Sequence, residues 1–135
     1  MKIGSAEFVV SSVEVLKEHA IGSRVRFATL SPISVTTIRN GKTYDLYPND
    51  SKFYENLRKN LIKKYNALYG KEPSDYKLEI EVLKVKPKRI KVKNTYHRCV
   101  EMVFEAEGCK ELLEIGYKAG FGERNSMGFG MVKVV

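Results

Sequence analysis

The chain has 135 residues, which predicts a single domain, and 43% of them are hydrophobic, enough for a modest core. No apolar run reaches the length of a membrane span, and the first residues lack a signal-peptide core. The net charge of +8 favours a polyanionic partner. The two cysteines predict neither a metal cluster nor a disulfide framework. They could pair with each other, but we expect free thiols in a cytoplasmic protein without metal or cofactor.

The chain opens with an extended segment, residues 3–16, whose apolar members are Phe8, Val10, Val13 and Val15. A polar connector, residues 17–23, follows and contains His19. Histidine is the commonest general base, but a lone histidine in a loop is usually solvated. We therefore assign residues 1–23 to a strand and its connector, outside the main domain at residues 24–135.

The main domain begins with alternating basic and apolar side chains. A strand with a period of two places Arg24 and Arg26 on one face and Val25 and Phe27 on the other, and Pro32 ends it. Two short extended segments, residues 33–39 and 42–47, then flank Asn40-Gly41, the strongest short signal for a β-hairpin.

A helical period replaces the strand period over residues 51–69. Asp50 or Ser51 caps the start, and Gly70 followed by Pro73 ends the helix. The apolar residues that form one stripe are Phe53, Leu57, Leu61, Tyr65 and Leu68. The lysines predicted on the other face are Lys52, Lys59 and Lys63.

A strand at residues 76–85 leads into the most basic part of the chain, Lys84–Arg98, which we call the basic arm. Its seven cations occur without an acidic residue. Their spacing changes phase beside Pro87, which predicts a bulge or a bend in a long hairpin. Asn94-Thr95 is the predicted turn, and residues 96–105 form the returning strand.

Two interpretations of the basic arm stay open from the residues alone. Lysines commonly protect an exposed strand edge from pairing with other chains. Alternatively, the concentration of cations here, opposed by a glutamate-rich stretch at residues 101–114, is typical of a phosphate-backbone reader. Tyr96 and His97 could stack on exposed bases or serve packing.

A short helix, Cys109–Ala119, with Leu112, Leu113 and Ile115 facing inward, leads into Gly120–Gly130, which we call the glycine-rich loop. The last residues form a buried strand. Two Gly-Phe-Gly triplets enclose a polar tip in this loop. Glycine permits tight turns and close backbone approach, so the pattern fits either a simple turn or an anion-binding loop.

This glycine pattern at the C-terminus resembles the signature loop of the RAMP superfamily, the repeat-associated RNA-binding proteins of CRISPR systems. It is most similar to the Cas-six family, endoribonucleases that cut precursor CRISPR RNA within its repeats. The residues that carry the pattern are Gly120, Gly122, Gly128 and Gly130. The segment Thr29-Leu30-Ser31-Pro32-Ile33 also resembles the opening strand of that family's C-terminal domain.

The element order predicts an α+β fold. Without the small hairpin, the main domain reads β-α-β-β-α-β, the ferredoxin-like (RRM-like) arrangement with an antiparallel sheet, preceded by one extra N-terminal strand. The resemblance implies that family members usually have two such domains, cut RNA without metal, and take their catalytic residues from the first. Residues 3–16 resemble the last strand of that first domain.

The resemblance implies recognition of precursor CRISPR repeat RNA. Neither His19 nor His97 matches the family's catalytic position, so we expect binding without efficient cleavage. The predicted RNA-binding residues are Gly120, Gly122, Arg124, Asn125, Ser126, Gly128, Gly130, Lys86, Lys88, Arg89, Lys91 and Lys93.

Two alternatives remain. In the first, the chain is an active endoribonuclease, as a dimer or with a partner chain, and uses His97 beside Tyr96 and Arg98. In the second, it is a non-catalytic assembly subunit of a CRISPR ribonucleoprotein. Residues 3–16 would then pair as an open strand with a second copy or a partner chain.

Overall fold

A computed structural model describes residues 22–135. The predicted N-terminal strand at residues 3–16 and His19 lie outside the described residues. The elements in chain order are β1 (Arg24–Thr29), β2 (Thr36–Arg39), β3 (Lys42–Asp45), α1 (Ser51–Tyr69), β4 (Leu78–Val92), β5 (Thr95–Gly108), α2 (Lys110–Ala119) and β6 (Val132–Val134).

Four strands form one antiparallel sheet in the order β4-β5-β1-β6. The β2–β3 hairpin forms a separate two-stranded sheet. Once this hairpin is set aside, the order is β-α-β-β-α-β, which confirms the predicted ferredoxin-like fold. The two helices pack on each other and on one face of the sheet. Within residues 22–135 neither helix covers the opposite face, here called the open face.

The alternation predicted for β1 fixes which face is buried. Val25 and Phe27 are buried, whereas Arg24 and Arg26 project from the open face. Phe27 lies with ring centroids 5.6 Å from Phe104 and 5.3 Å from the Phe121 ring of the glycine-rich loop. The core therefore joins the central strands directly to that loop.

Helix α1 follows its predicted signals closely. The Asp50 side chain accepts a hydrogen bond from the Lys52 backbone N–H at 2.9 Å, and Gly70 ends the helix in the left-handed conformation with φ 68°. The stripe is buried except for Leu68, which is 63% exposed. Because residues 66–70 are all exposed, the last turn of α1 lies beyond the core.

Both predicted hairpins form, but the turn and the bulge of the longer one lie at other positions than predicted. In β2–β3, Asn40 (φ 52°) and Gly41 (φ 77°) make the predicted tight turn. In β4–β5 the turn lies at Lys93-Asn94, one residue earlier than predicted. The bulge lies between Val82 and Lys84 rather than beside Pro87, so the prediction of its position is wrong.

Pro87 needs no bulge because β4 is an edge strand. A proline lacks the N–H that pairs with a neighbouring strand, and that loss is harmless where the strand has only one neighbour. Pairing is regular from Lys84↔Val103 to Val92↔Thr95 as a result.

Two smaller predictions are also resolved. Cys99 and Cys109 are both free and buried. Neither described helix combines the length and the apolar character that crossing a membrane requires.

Candidate nucleic-acid interface

The basic arm carries cations that lack carboxylate partners. Among residues 22–135, none of its seven Lys and Arg side chains forms an ion pair. Six cations elsewhere in this part of the chain do: the pairs are Arg24 and Arg26 with Glu105, Arg39 with Asp50, Lys52 and Lys59 with Glu55, and Arg124 with Glu123. Among the described residues, the arm therefore places seven unpaired cations within a single hairpin, whereas the other unpaired cations are spread over several elements.

The strand pairing divides these cations between two surfaces. Residues opposite each other in an antiparallel pair project from the same face. The set opposite Val103, Glu101 and Cys99 lies on the open face and consists of Lys84, Lys86 and Lys88. The set opposite Arg98 and Tyr96 lies on the other face, here called the helix-side face, and consists of Arg89 and Lys91. Lys93 lies in the turn.

The predicted arm residues therefore do not form one surface. The phase change in the sequence predicted a bulge or bend beside Pro87, in the middle of the arm. Because the bulge lies upstream at Leu83 instead, the strand alternates regularly through Pro87 and separates Lys86 and Lys88 from Arg89 and Lys91.

Tyr96 and His97 project from opposite faces of β5. The Arg89 guanidinium carbon lies 4.5 Å from the centroid of the Tyr96 ring, and the Lys91 Nζ lies 5.6 Å from it. His97 is half-buried on the open face, with its ring edge-on to Phe129 at a centroid distance of 6.0 Å. The structure does not bring His97 together with Tyr96 and Arg98, because neighbouring strand residues alternate.

The glycine-rich loop folds onto its own chain. The Phe121 N–H donates to the Gly130 carbonyl at 2.8 Å, and the Gly130 N–H donates to the Pro32 carbonyl at 2.7 Å. The Glu123 N–H donates to the Ser34 carbonyl at 2.7 Å. Most backbone donors of the loop are thus bonded inside the domain, whereas the N–H groups of Arg124, Asn125 and Ser126 at its tip donate to no backbone carbonyl of the described residues.

Positive φ and close packing explain why glycine occupies the loop. A Cβ at Gly130 (φ 81°) would lie 1.9 Å from the Phe121 carbonyl oxygen, and one at Gly122 (φ 76°) would lie 2.5 Å from that of Ser34. Gly128 (φ 92°) differs, since a Cβ there meets nothing within 4 Å. Gly122 and Gly130 let the loop close on neighbouring backbone, whereas Gly128 faces open space.

The polar tip of the loop is largely committed to internal contacts. The Arg124 Nη1 donates to Ser34 Oγ at 2.7 Å. The Asn125 side-chain amide donates to the carbonyls of Phe121 at 3.3 Å and Phe129 at 2.9 Å. Of the three predicted tip residues, Ser126 alone is exposed.

Lys64 is a residue that our sequence analysis missed. Its Nζ donates to the carbonyls of Gly120 and Gly122, both at 2.7 Å, so it ties α1 to the glycine-rich loop. Burial lowers the pKa of Lys64 to about 8, and the nearby Glu123 carboxylate opposes this shift. Its spacing from Leu57 and Leu61 places it beside the apolar stripe, which is the signal that could have found it.

Glu123 makes a second internal tie in the loop. Its carboxylate accepts hydrogen bonds from the Thr36 backbone N–H at 2.8 Å and from Thr36 Oγ1 at 2.8 Å. The loop is thereby fixed to the start of β2 as well as to α1. The glycine pattern does not indicate either of the two side chains, Glu123 and Lys64, that make these contacts.

The open face is acidic at the end away from the arm. Four carboxylates surround a shallow cavity of about 220 Å³ there, together with Arg24 and Ile80: Glu79, Glu81, Glu105 and Glu107. Hydrogen bonds from Arg26 and Arg24 lower the pKa of Glu105. This end of the open face is therefore less favourable to a polyanion than the end that carries the arm lysines.

Among residues 22–135, no three His, Cys, Asp or Glu side chains lie close enough together to hold a metal ion. The side chains available at the arm are cations, aromatic rings and hydroxyl groups. These groups suit binding to a nucleic-acid backbone and to bases.

Residues 16–134 match the family model described as CRISPR associated protein Cas6, C-terminal. The chain is 49% identical over 140 residues to the CRISPR-associated endoribonuclease Cas6 1 of Methanocaldococcus jannaschii, covering 98% of this chain and 53% of that protein. It is 43% identical over 136 residues to the CRISPR-associated endoribonuclease Cas6 of Pyrococcus furiosus, covering 99% of this chain and 51% of that protein.

A solved structure described as a RAMP protein binding different RNA substrates is similar, with a TM-score of 0.83 and 43% identity. The match covers 89% of this chain and 52% of that one. The chain spans about half the length of the relatives it matches. Because the family model covers most of its residues, this chain belongs to the Cas6 family and corresponds to its C-terminal domain.

Proposed function

We propose that this chain binds precursor CRISPR repeat RNA, and that the basic arm is the principal contact. The observation that carries the proposal is the set of cations between Lys84 and Arg98 that have no carboxylate partner within residues 22–135. Phosphate contacts by Lys and Arg supply most of the affinity in protein–nucleic-acid complexes. The similar RAMP protein described as binding RNA supports the same function.

The glycine-rich loop has a supporting role in this proposal. Its Phe129 ring lies against His97, near the turn of the arm, and its Glu123 and Arg124 contact the segment Ser34–Thr36. Direct RNA contact by the loop is proposed for its exposed tip, Ser126, Met127 and Gly128. The loop thus supports the arm and adds a small exposed tip.

RNA cleavage by this chain alone is not part of the proposal. His97 is the only histidine among residues 22–135, and it packs on Phe129 at the open face. Tyr96 and Arg98 project from the helix-side face. Pairing of residues 3–16 with a second copy or a partner chain stays a prediction. The mass of the protein in solution across a concentration series tests it, since a constant monomer mass would contradict self-association.

Titration of labelled repeat RNA without added metal, over a series of salt concentrations, tests the function. We expect binding that weakens with salt. Changing both Lys86→Gln and Lys88→Gln should reduce the salt slope by about 0.7 for each lost contact to a single strand. The matched control, Lys59→Gln with Lys63→Gln on α1, removes the same charge elsewhere and should leave the slope unchanged.

Equal affinity and equal slope for the arm variant and the unmodified chain would reject the arm as the contact. Scoring the same gels for product separates binding from cleavage. A discrete cut within the repeat would show a nuclease activity, and His97→Ala would then be the first variant to examine.

A further inference from the structure

The β2–β3 hairpin carries an exposed aromatic residue that the core does not use. Tyr44 is 43% exposed, and the Arg39 guanidinium carbon lies 5.6 Å from the centroid of its ring. The register pairs Arg39 with Lys42 and Thr37 with Tyr44, so Arg39, Lys42 and Tyr44 share one face of the hairpin. Arg39 also pairs with Asp50 at 3.7 Å.

The helix-side face of the basic arm repeats this arrangement. Tyr96 is 53% exposed, with the Arg89 guanidinium 4.5 Å and the Lys91 Nζ 5.6 Å from its ring centroid. Each of the two hairpins therefore presents a tyrosine ring with an arginine against it and a lysine on the same face.

The two hairpins are joined directly. The Asp45 carboxylate accepts a hydrogen bond from the Arg98 backbone N–H at 3.0 Å. Tyr44 precedes Asp45 by one residue, and Tyr96 precedes Arg98 by two. At about 3.3 Å per strand residue, each tyrosine lies within about 7 Å of this junction along its own strand. The two tyrosines therefore lie close to the same junction between the hairpins.

A tyrosine flanked by cations suits an unpaired base. Bases of single-stranded RNA stack on aromatic rings while Arg and Lys hold the neighbouring phosphates. In a duplex the faces of the bases are covered by stacking, so exposed rings gain little from it. The open-face lysines Lys84, Lys86 and Lys88 have no exposed tyrosine opposite them in β5, and suit phosphate contact alone.

We propose that Tyr44 and Tyr96 each stack a base of a single-stranded RNA segment, and that the β2–β3 hairpin is a second RNA-binding element beside the basic arm. This inference rests on the proposed function and specifies it, since it names the class of RNA bound as unpaired strand. Arg39, Lys42, Arg89 and Lys91 contact the phosphates of that strand.

Binding of a fluorescein-labelled 12-nucleotide oligouridine and of a 12-base-pair RNA duplex, at one fixed salt concentration, tests the inference. Tyr44→Ala and Tyr96→Ala should each weaken oligouridine binding by roughly tenfold, because stacking contributes about that much per base. Tyr→Phe changes at the same positions keep the ring and should restore the affinity. Duplex binding should change little.

Tyr69→Ala is the matched control, because Tyr69 is similarly exposed, at 51%, on the last turn of α1. This variant should bind oligouridine as tightly as the unmodified chain. Loss of binding in all three alanine variants would indicate a general defect and would overturn the assignment to Tyr44 and Tyr96.

A direct readout uses the absence of tryptophan from the chain. Tyr44→Trp and Tyr96→Trp each introduce a single tryptophan, whose emission on selective excitation should be quenched when oligouridine stacks on it. Tyr69→Trp should show no quenching. Unquenched emission at both sites, or alanine variants that retain full affinity, would overturn the inference.

The two proposals fail in distinguishable ways. If the Lys86 and Lys88 variant loses repeat RNA while the tyrosine variants do not, the arm remains the contact and the stacking surface is rejected. If the tyrosine variants lose oligouridine while the lysine variant does not, the stacking surface stands and the open face is rejected. Binding of no RNA at all by the unmodified chain rejects both.

Discussion

The basic arm and the glycine-rich loop are the two regions that the sequence marks for function, and they have opposite structural character. The arm is a two-stranded ribbon whose cations face solvent without carboxylate partners among residues 22–135. The two ends of the loop are buried, and most of its amides and the Asn125 and Arg124 side chains bond to the same chain. The glycines at these ends therefore serve the packing of the loop on the domain.

The difference follows from the bonding capacity of each region. A backbone N–H that already donates to a carbonyl has no second hydrogen for a phosphate. A solvated lysine or arginine needs only to exchange water and counterions for a phosphate. A glycine pattern alone does not distinguish a loop that closes on a ligand from one that closes on its own chain.

The largest expected effect is on the stability of the loop. Gly130→Ala would place a Cβ 1.9 Å from the Phe121 carbonyl oxygen, and this contact can be relieved only by moving backbone. We expect a loss of about 3 kcal/mol or more in the free energy of unfolding, measured with urea. Gly128→Ala, which faces open space, should cost about 1–2 kcal/mol from its positive φ alone. Equal losses would contradict the packing role of Gly130.

The next effect concerns the tie between α1 and the loop. Lys64→Met leaves the Gly120 and Gly122 carbonyls without their donor, and we expect a loss of about 1–3 kcal/mol at neutral pH. Lys63→Met removes an exposed neighbour and should cost little. Urea unfolding of both variants measures the difference, and similar losses would contradict the tie.

The same lysine gives a pH dependence with a defined sign. The pKa of Lys64 is about 8 in the folded chain against 10.5 ordinarily, so the unfolded chain binds more protons between these values. The stability of the unmodified chain relative to Lys64→Met should therefore rise from about pH 8 to pH 10.5. A relative stability that stays constant or falls over this range would be inconsistent with the burial of Lys64.

A contact outside both regions provides a reference. The Glu111 carboxylate accepts hydrogen bonds from the Ser74 N–H and the Tyr65 hydroxyl, both at 2.6 Å, and these lower the pKa of Glu111 to about 2. Its contribution to stability is present above pH 4.5 and is lost as the pH falls toward 2. The Glu111→Gln variant should lose less stability over this pH range than the unmodified chain, in an acid titration followed by circular dichroism.

RNA affinity of the Glu111→Gln variant should be unchanged, because Glu111 lies in neither the arm nor the loop. Glu114→Gln, on the same helix, is its control for the charge change. A weakened RNA affinity in Glu111→Gln alone would show that the helix pair contributes to binding.

The smallest expected effect is on the stability of the arm. Lys86→Gln with Lys88→Gln removes charges that make no ion pair among the described residues, so the free energy of unfolding should change by less than about 0.5 kcal/mol. The same variant is the one expected to alter RNA binding. A large loss of stability would show that these lysines support the fold instead.

The fold was predictable because its signals are local. Asn40-Gly41 fixed one turn, Asp50 and Gly70 bounded α1, and the alternation at Val25 and Phe27 fixed the buried face of β1. The position of the bulge was not predictable, because no glycine or proline marks Leu83 in the sequence. The register shift there is set by the pairing of β4 with β5. That single position decides which arm cations share a face.

The residues that the glycine-rich loop contacts could not be predicted from local sequence patterns either. The glycines indicated a close approach, but the groups approached, Pro32 and Ser34, lie about ninety residues earlier in the chain. Lys64 was assigned no role because a lysine on a helix is usually solvated. Its contact with the loop depends on how α1 lies across the sheet.

The charge distribution on the open face has a kinetic consequence. Glu79 and Lys88 are nine residues apart on β4, about 30 Å at the rise of a strand. Physiological salt screens charges over about 8 Å, so the acidic and basic ends do not cancel each other. The domain behaves as an electric dipole that turns its arm toward an approaching polyanion. Added salt should therefore slow the encounter of the domain with RNA.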